Sequence, residues 1–358
     1  MSLHGGDIYK IYRENRKKVI DYSANINPLG FPKKLKKNIM ENIDDLIHYP
    51  DPNYIELKES ISRKIKIPVE SICVGNGATE LIFLWMKALK PKKTLIISPT
   101  FAEYERALKE VNSEVHYFKL TEGKEEFYLN FKELKEELRK EYDLVILCNP
   151  NNPTGNFVNR EEFKELLNDV NFSNTIFFID EAFIDFIKNG EDLSFKHFES
   201  ERVIIIRAFT KFFGIPGLRL GYSICYNKKM VSIANSLKEP WTLNTFAASC
   251  GEVLLNSNKY IEKTYKVLEK EKNRMLNELK KIENIRVFNS ESNFLLIKLM
   301  KISGADLYNK LLEKGFLIRR CENFSFLDDS YIRIAIKDKK SNKKFLKSIK
   351  KIIKNRDI

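Results

Sequence analysis

Histidine is scarce in this 358-residue chain: only His4, His48, His116 and His197 occur, and no two of them stand at the i, i+4 spacing of a helical metal pair. Cysteine is nearly as scarce. Cys73, Cys148, Cys225, Cys250 and Cys321 are odd in number and far apart, which argues against a disulfide framework and against a zinc cluster. No metal site is expected. Nor does any apolar run approach the roughly 20 residues that would cross a bilayer, and the opening MSLHGGDIYK lacks the apolar stretch of a secretory signal. These absences point to a cytoplasmic protein with no membrane partner.

What is abundant is lysine. There are 62 Lys and Arg against 49 Asp and Glu, a net charge of +13, and 47 of the cations are Lys against 15 Arg. Specific nucleic-acid contacts lean on Arg within recognisable motifs. Here the densest basic stretch, Lys339–Lys354, reads instead as the solvated face of an amphipathic helix, so no nucleic-acid partner is expected. With 43% hydrophobic residues, including 25 Phe and 15 Tyr, the chain can bury a large core.

From about residue 70 short apolar runs alternate with amphipathic segments. Strands are expected at Ser71–Val74, Thr94–Ile97, Glu114–Leu120, Asp143–Cys148, Thr175–Ile179 and Val203–Arg207. Helices are expected at Thr79–Leu89, Ala102–Val111, Phe131–Glu141 and Arg160–Val170. This succession predicts an α/β fold with a mostly parallel sheet, whose ligands gather where strands end. The pattern then changes to a helix-rich stretch over Phe246–Ile282, with its long part at Tyr260–Lys281. Strands at Ile285–Phe288, Phe294–Lys298, Phe316–Arg319 and Tyr331–Ile336, with helices at Gly304–Lys314 and the C-terminus, suggest a smaller α+β domain. The first 40 or so residues carry few regular signals apart from the loop Asn25–Gly30.

Four segments could carry chemistry. Gly75-Asn76-Gly77-Ala78-Thr79-Glu80 joins a strand to a helix, and its small residues let the backbone approach an anion at the helix start. Alone it reads equally as a plain strand–helix turn. Asn149-Pro150-Asn151-Asn152-Pro153-Thr154-Gly155 is a rigid loop whose Asn side chains can bond a ring substituent, or merely a turn. In Ile179-Asp180-Glu181-Ala182-Phe183 a carboxylate directly follows an apolar strand. Burial there demands a cation, such as a protonated pyridine nitrogen, unless Asp180 only caps a helix. In Arg207-Ala208-Phe209-Thr210-Lys211-Phe212-Phe213-Gly214, Lys211 is flanked by aromatics, so desolvation would lower its pKa and make its amine nucleophilic. Thr210 and Arg219 could hold a phosphate beside it.

Taken in order, NNPTG, DEAF and TK followed by Arg219 resemble the fold-type-I pyridoxal-phosphate enzymes of the aminotransferase class I/II superfamily over essentially the whole chain. The resemblance implies a seven-stranded, mostly parallel sheet in a large cofactor-binding domain at 41–244, with residues 1–40 and 245–358 forming an N-terminal arm and a small domain. It implies pyridoxal 5'-phosphate as cofactor, carried by Lys211. Asp180 faces the pyridine nitrogen, Asn152 the ring oxygen and Phe101 the ring face. Gly77, Ala78, Thr210 and Arg219 hold the phosphate. Tyr49 reaches the phosphate of a neighbouring subunit, which implies a homodimer. Phe183 departs from the Tyr of many relatives.

Within the superfamily, histidinol-phosphate aminotransferases share these motifs. Other segments resemble the L-threonine-O-3-phosphate decarboxylases of cobalamin synthesis: His4-Gly5-Gly6-Asp7, Ser23-Ala24-Asn25-Ile26-Asn27-Pro28, Pro99-Thr100-Phe101-Ala102-Glu103-Tyr104-Glu105, Pro240-Trp241-Thr242-Leu243-Asn244, and Ile318–Phe324 with Tyr331–Ile334. The resemblance implies a small phosphorylated amino acid as substrate, with Arg333 and Arg319 at its anionic groups and His4, Gly6 and Asn25 at its phosphate. Asp7 stands where those decarboxylases usually have Asn, and Arg320 where they usually have Asp. A cofactor-binding regulator on this fold is the remaining alternative. It usually carries a DNA-binding domain, and the residues before the first cradle strand show no helix-turn-helix.

Overall fold

Strand runs such as LVILC, IFFID and VIIIRA are apolar on both faces, which suits a sheet covered by helices on each side. The structure, a computed structural model that describes residues 4–169, 172 and 174–354, places them at the centre of a seven-stranded sheet. In chain order its strands are β1 (Ile72–Gly75), β2 (Lys93–Ser98), β3 (Glu114–Lys119), β4 (Leu144–Cys148), β5 (Ile176–Asp180), β6 (Val203–Ala208) and β7 (Gly221–Cys225). Across the sheet the order is β1-β7-β6-β5-β4-β2-β3. All pairings are parallel except those of β7, which runs antiparallel to both β6 and β1.

This topology positions the site. Six strands end at one edge, and Cys148 pairs with Asp180 and Asp180 with Ile206 in register. Because β7 runs the other way, the residues just before Gly221 lie at that same edge. Arg219, which precedes a strand, thereby joins Asp180 and Lys211, which end or follow one.

The strand β7 is absent from the sequence expectation. Its five residues, GYSIC, follow directly on the Gly-rich Lys211–Gly221 segment and show no alternation of their own. The other strands fall within two residues of expectation, and the helix expected at Arg160–Val170 spans Arg160–Asn168, Val170 lying outside the described residues. Helices also form at Ile8–Asn15, Lys33–Glu41 and Ile55–Ile65, where few signals were read. Lys33–Glu41 fully buries only Leu35, with Ile39 one turn on packed partly against the core, so its apolar stripe is narrow. The loop Asn25–Gly30 is held by Asn27, whose Nδ2 donates to the Phe212 carbonyl at 2.7 Å and to Thr264 Oγ1 at 2.9 Å. The N-terminal segment is thus tied to both the Lys211 region and the long helix Asn258–Leu279.

A second sheet comprises β8 (Ile285–Val287), β9 (Phe294–Leu299), β10 (Arg319–Arg320) and β11 (Tyr331–Ala335), antiparallel in the order β8-β9-β11-β10. The single strand expected at Phe316–Arg319 is split. Phe316–Leu317 pairs in parallel with Ile20–Asp21, while Arg319–Arg320 joins β11. In the C-terminal helix Lys339–Lys354, Phe345, Leu346, Ile349, Ile352 and Ile353 are buried and most of its lysines face solvent, as the amphipathic reading requires. Among the described residues no helix is long and apolar enough to cross a membrane.

Candidate active site

Asp180 closes β5 with its carboxylate fully enclosed. The Tyr104 hydroxyl donates to Oδ2 at 2.6 Å and the Ala182 amide to Oδ1 at 2.8 Å. Burial outweighs these bonds and pushes the carboxyl up to about 6. The neighbouring Glu181 turns away from the cavity edge. It accepts from Arg207 Nε at 3.0 Å, Ser194 Oγ at 2.7 Å and the Phe195 amide at 2.8 Å, a buried network that braces β5 against β6.

Lys211 sits in the single helical turn Phe209–Phe212 that follows β6. Burial lowers its pKa to about 8, and the nearby guanidiniums of Arg333 and Arg219 push in the same direction. Its neutral, nucleophilic form is therefore accessible near physiological pH.

An anion pole lies at the start of helix Gly77–Leu89. Gly77 has φ of +78°, and a Cβ there would stand 2.6 Å from Arg219 Nη2, so only glycine lets the guanidinium so near the backbone. Arg219 Nη2 also reaches the Asn76 carbonyl at 3.5 Å. Ala78, Thr210 and Arg219 line the adjoining cavity, and the buried Asn76 Oδ1 has no hydrogen-bond partner. A helix start and a guanidinium together suit a phosphate.

On the opposite side, Arg319 and Arg333 are register partners on β10 and β11, and both are buried. Arg333 Nη2 donates to the Ser23 carbonyl at 2.6 Å and Nη1 to Asn152 Oδ1, while its buried Nε has no partner. Burial lowers its pKa to about 10. Arg319 Nη2 donates to Asn323 Oδ1 at 2.6 Å, and the guanidinium lies 5.4 Å from the centre of the Phe324 ring. With Asn152 Oδ1 engaged by Arg333, the nitrogen of that amide is the end that can donate to a ring oxygen.

These residues surround one cavity of about 470 Å3, within the range of small-molecule sites. Phe101 lines it, with His4 5.4 Å away ring to ring and Tyr104 edge-on at 5.8 Å. His4, Asn25, Arg319 and Arg333 line it from the N-terminal segment and the second sheet, and the buried Asn25 Oδ1 has no partner. Three expected residues do not line it. Gly77 stands behind Arg219 at the helix start. Gly6 donates its amide to Ser23 Oγ at 2.8 Å, and its neighbour Gly5 is the glycine in the cavity wall. Tyr49 is 79% exposed and stacks on Trp241 at 4.5 Å, away from this cavity.

The departure from many superfamily relatives, Phe183, and the two from the decarboxylase pattern, Arg320 and Asp7, are also placed. Phe183 lines the cavity and packs edge-on against Phe294 at 5.2 Å. Arg320 points away, pairing with Asp329 at 3.0 Å and with Glu322. Asp7 precedes helix Ile8–Asn15 and lines a neighbouring cleft with Arg320. Residues that went unremarked in the sequence include Tyr104, which holds Asp180, and Glu103, which accepts from His4. Both lie in the Pro99–Glu105 segment, but neither partner is near in sequence.

The residues fit pyridoxal 5'-phosphate. The anion pole has a helix start, the Arg219 guanidinium and, at Gly77, a left-handed backbone that favours glycine. A buried carboxyl of raised pKa and a lysine of lowered pKa stand in the same cavity.

A family model described as aminotransferase class I and II matches residues 17–349. A Caldanaerobacter subterraneus protein, provisionally named a threonine-phosphate decarboxylase, is 42% identical over 95% of this chain and 90% of its own. The threonine-phosphate decarboxylase of Salmonella typhimurium is 33% identical over 98% and 97%. The crystal structure titled as the histidinol-phosphate aminotransferase of Clostridium acetobutylicum superposes with a TM-score of 0.87 at 40% identity, over 93% of this chain and 99% of that one.

Proposed function

The chain belongs to the aminotransferase class I and II family, and from that premise we propose that it decarboxylates L-threonine O-3-phosphate to (R)-1-aminopropan-2-yl phosphate and CO2, in cobalamin side-chain synthesis. It is an enzyme of the pyridoxal-phosphate-dependent, aminotransferase-like group, and the bound cofactor supplies the electron sink for the bond that breaks at Cα.

Lys211 would hold the cofactor through its amine, and Lys211 or a water would return a proton to Cα. Asp180 keeps a negative charge opposite the pyridine nitrogen, Asn152 donates to the ring oxygen, and Phe101 covers the ring. With Phe183 in place of a Tyr, no hydroxyl assists Asn152 from that position. Gly77, Ala78, Thr210 and Arg219 hold the cofactor phosphate. Arg333 pairs with the substrate carboxylate, and Arg319, Asn25, His4 and the Gly5–Gly6 segment close on its phosphate. These roles divide between a large domain at 41–244 and a small one at 1–40 with 245–358. Tyr49, exposed beside the 83% exposed Ile47, completes the site of a second copy in a homodimer.

The observation that carries this reading is the pairing of Arg319 with Arg333 on neighbouring strands, both buried at the cavity. Two fixed guanidiniums can hold the two anionic ends of one short substrate. The two relatives named as decarboxylases support it. A second reading, histidinol-phosphate aminotransferase with 2-oxoglutarate, is favoured by the Clostridium structure. Comparison of kcat/KM for L-threonine O-3-phosphate alone with that for histidinol phosphate plus 2-oxoglutarate separates them. The proposal expects the first to be larger by orders of magnitude, and the reverse order overturns it.

A further inference from the structure

Glu103 poses a problem for a cavity that takes anions. Its side chain is 3% exposed, it lines the cavity wall, and by itself it would repel a phosphate. Its two oxygens are divided between an imidazole and a guanidinium. Oε1 meets His4 Nε2 at 2.8 Å, and Oε2 meets Arg106 Nη1 at 3.3 Å. His4 comes from the N-terminal segment, whereas Arg106 stands one turn along the same helix, Glu103–Lys109. All three line the cavity.

Arg106 is poorly explained as a stabilising partner. An i, i+3 pair at this distance, with the arginine side chain 62% exposed, contributes little to the fold. Its guanidinium lies 5.6 Å from the centre of the Phe83 ring, and the pair with Glu103 uses Nη1 alone of its three nitrogens. It is a fork held at the cavity with donors to spare.

The charge balance points the same way. A phosphorylated α-amino acid brings about three negative charges near neutral pH, one on the carboxylate and up to two on the phosphate. Arg333 and Arg319 supply two positive charges, and Glu103 subtracts one. Arg106, with His4 when protonated, restores the balance.

We propose that Arg106, steadied together with His4 on the buried Glu103 carboxylate, is a phosphate-recognising residue of this cavity and sets its preference for a phosphorylated amino acid over the unphosphorylated one. Glu103 is the positioning residue. Its carboxylate holds both side chains at the cavity wall and docks the N-terminal segment through His4. The inference rests on the reading of the substrate as a phosphorylated amino compound.

The test compares cofactor-loaded wild type, Arg106→Gln and Arg106→Lys, with inorganic phosphate as a competing ligand and L-threonine as a ligand without phosphate. Arg106 is exposed enough for both variants to fold. In Arg106→Gln, KM for L-threonine O-3-phosphate and the inhibition constant for inorganic phosphate should both rise about ten-fold, with kcat within about two-fold of wild type. Arg106→Lys should recover part of the loss, and L-threonine binding, read from the cofactor's absorbance, should be unchanged. KM and phosphate inhibition both within about two-fold of wild type in Arg106→Gln would overturn the assignment. If the wild type instead turns over histidinol phosphate with 2-oxoglutarate, the decarboxylase reading fails. The same comparison run with histidinol phosphate then still decides the role of Arg106, because that substrate also carries a phosphate.

Discussion

The Tyr104 hydroxyl donates to Oδ2 of Asp180 at 2.6 Å, at the edge of the sheet where β5 ends. Even with this bond, burial holds the Asp180 carboxyl up at about 6. The folded protein therefore binds a proton there more tightly than the unfolded chain does. The stability this contributes is fully present below the ordinary carboxylate range and is lost as pH rises through about 6. Asp180→Asn removes the ionisable group. Without cofactor, that variant should be more heat-stable than wild type at pH 7, by on the order of 2 kcal/mol, and similar to it at pH 4. Its catalytic rate should fall by about 100-fold or more, since the charge opposite the ring nitrogen is gone. Thermal scans at the two pH values check the first statement, and equal destabilisation at both would contradict it.

Lys211 is depressed to about 8 by burial, with Arg333 and Arg219 adding to the effect. The neutral amine is the form that attacks the cofactor aldehyde. The rate at which cofactor-free protein takes up pyridoxal 5'-phosphate should therefore climb as pH rises through about 8 and level off above it. Stopped-flow absorbance gives this profile. Lys211→Ala should bind the cofactor without the absorbance of the covalent form.

A Cβ on Gly77 would stand 2.6 Å from Arg219 Nη2 and displace that guanidinium, and its φ of +78° is strained for any other residue. Gly77→Ala should weaken cofactor affinity by about ten-fold or more while the circular dichroism spectrum stays that of wild type. Equilibrium dialysis of the cofactor is the check.

Arg320 differs from the decarboxylase pattern, yet its guanidinium pairs with Asp329 and Glu322 outside the main cavity. Arg320→Ala should lower stability by no more than about 1 kcal/mol and leave KM within about two-fold of wild type.

Much of the cofactor side was legible because its residues sit in short contiguous motifs at strand ends. Gly77, Asn152, Asp180, Lys211 and Arg219 each announce themselves beside a strand or a glycine turn, and a parallel sheet brings strand ends to one edge. The strand β7 was hidden because it is short and emerges directly from a motif, although it is what returns Arg219 to that edge. The pairing of His4 with Glu103 spans 99 residues, and that of Arg333 with the Ser23 carbonyl spans 310. No local pattern encodes such partners; the packing of the N-terminal segment against elements far along the chain creates them. The split of Phe316–Arg319 likewise depends on Ile20–Asp21, which offers a second strand partner from far along the chain.

The most direct measurement is CO2 release from L-threonine O-3-phosphate by the purified, cofactor-loaded protein, with no 2-oxo acid present. Release through many turnovers per active site, matched by one 1-aminopropan-2-yl phosphate per CO2 and unaffected by added 2-oxoglutarate, is the predicted result. No CO2 beyond background, together with turnover of histidinol phosphate only when 2-oxoglutarate is supplied, would contradict it and make the protein an aminotransferase.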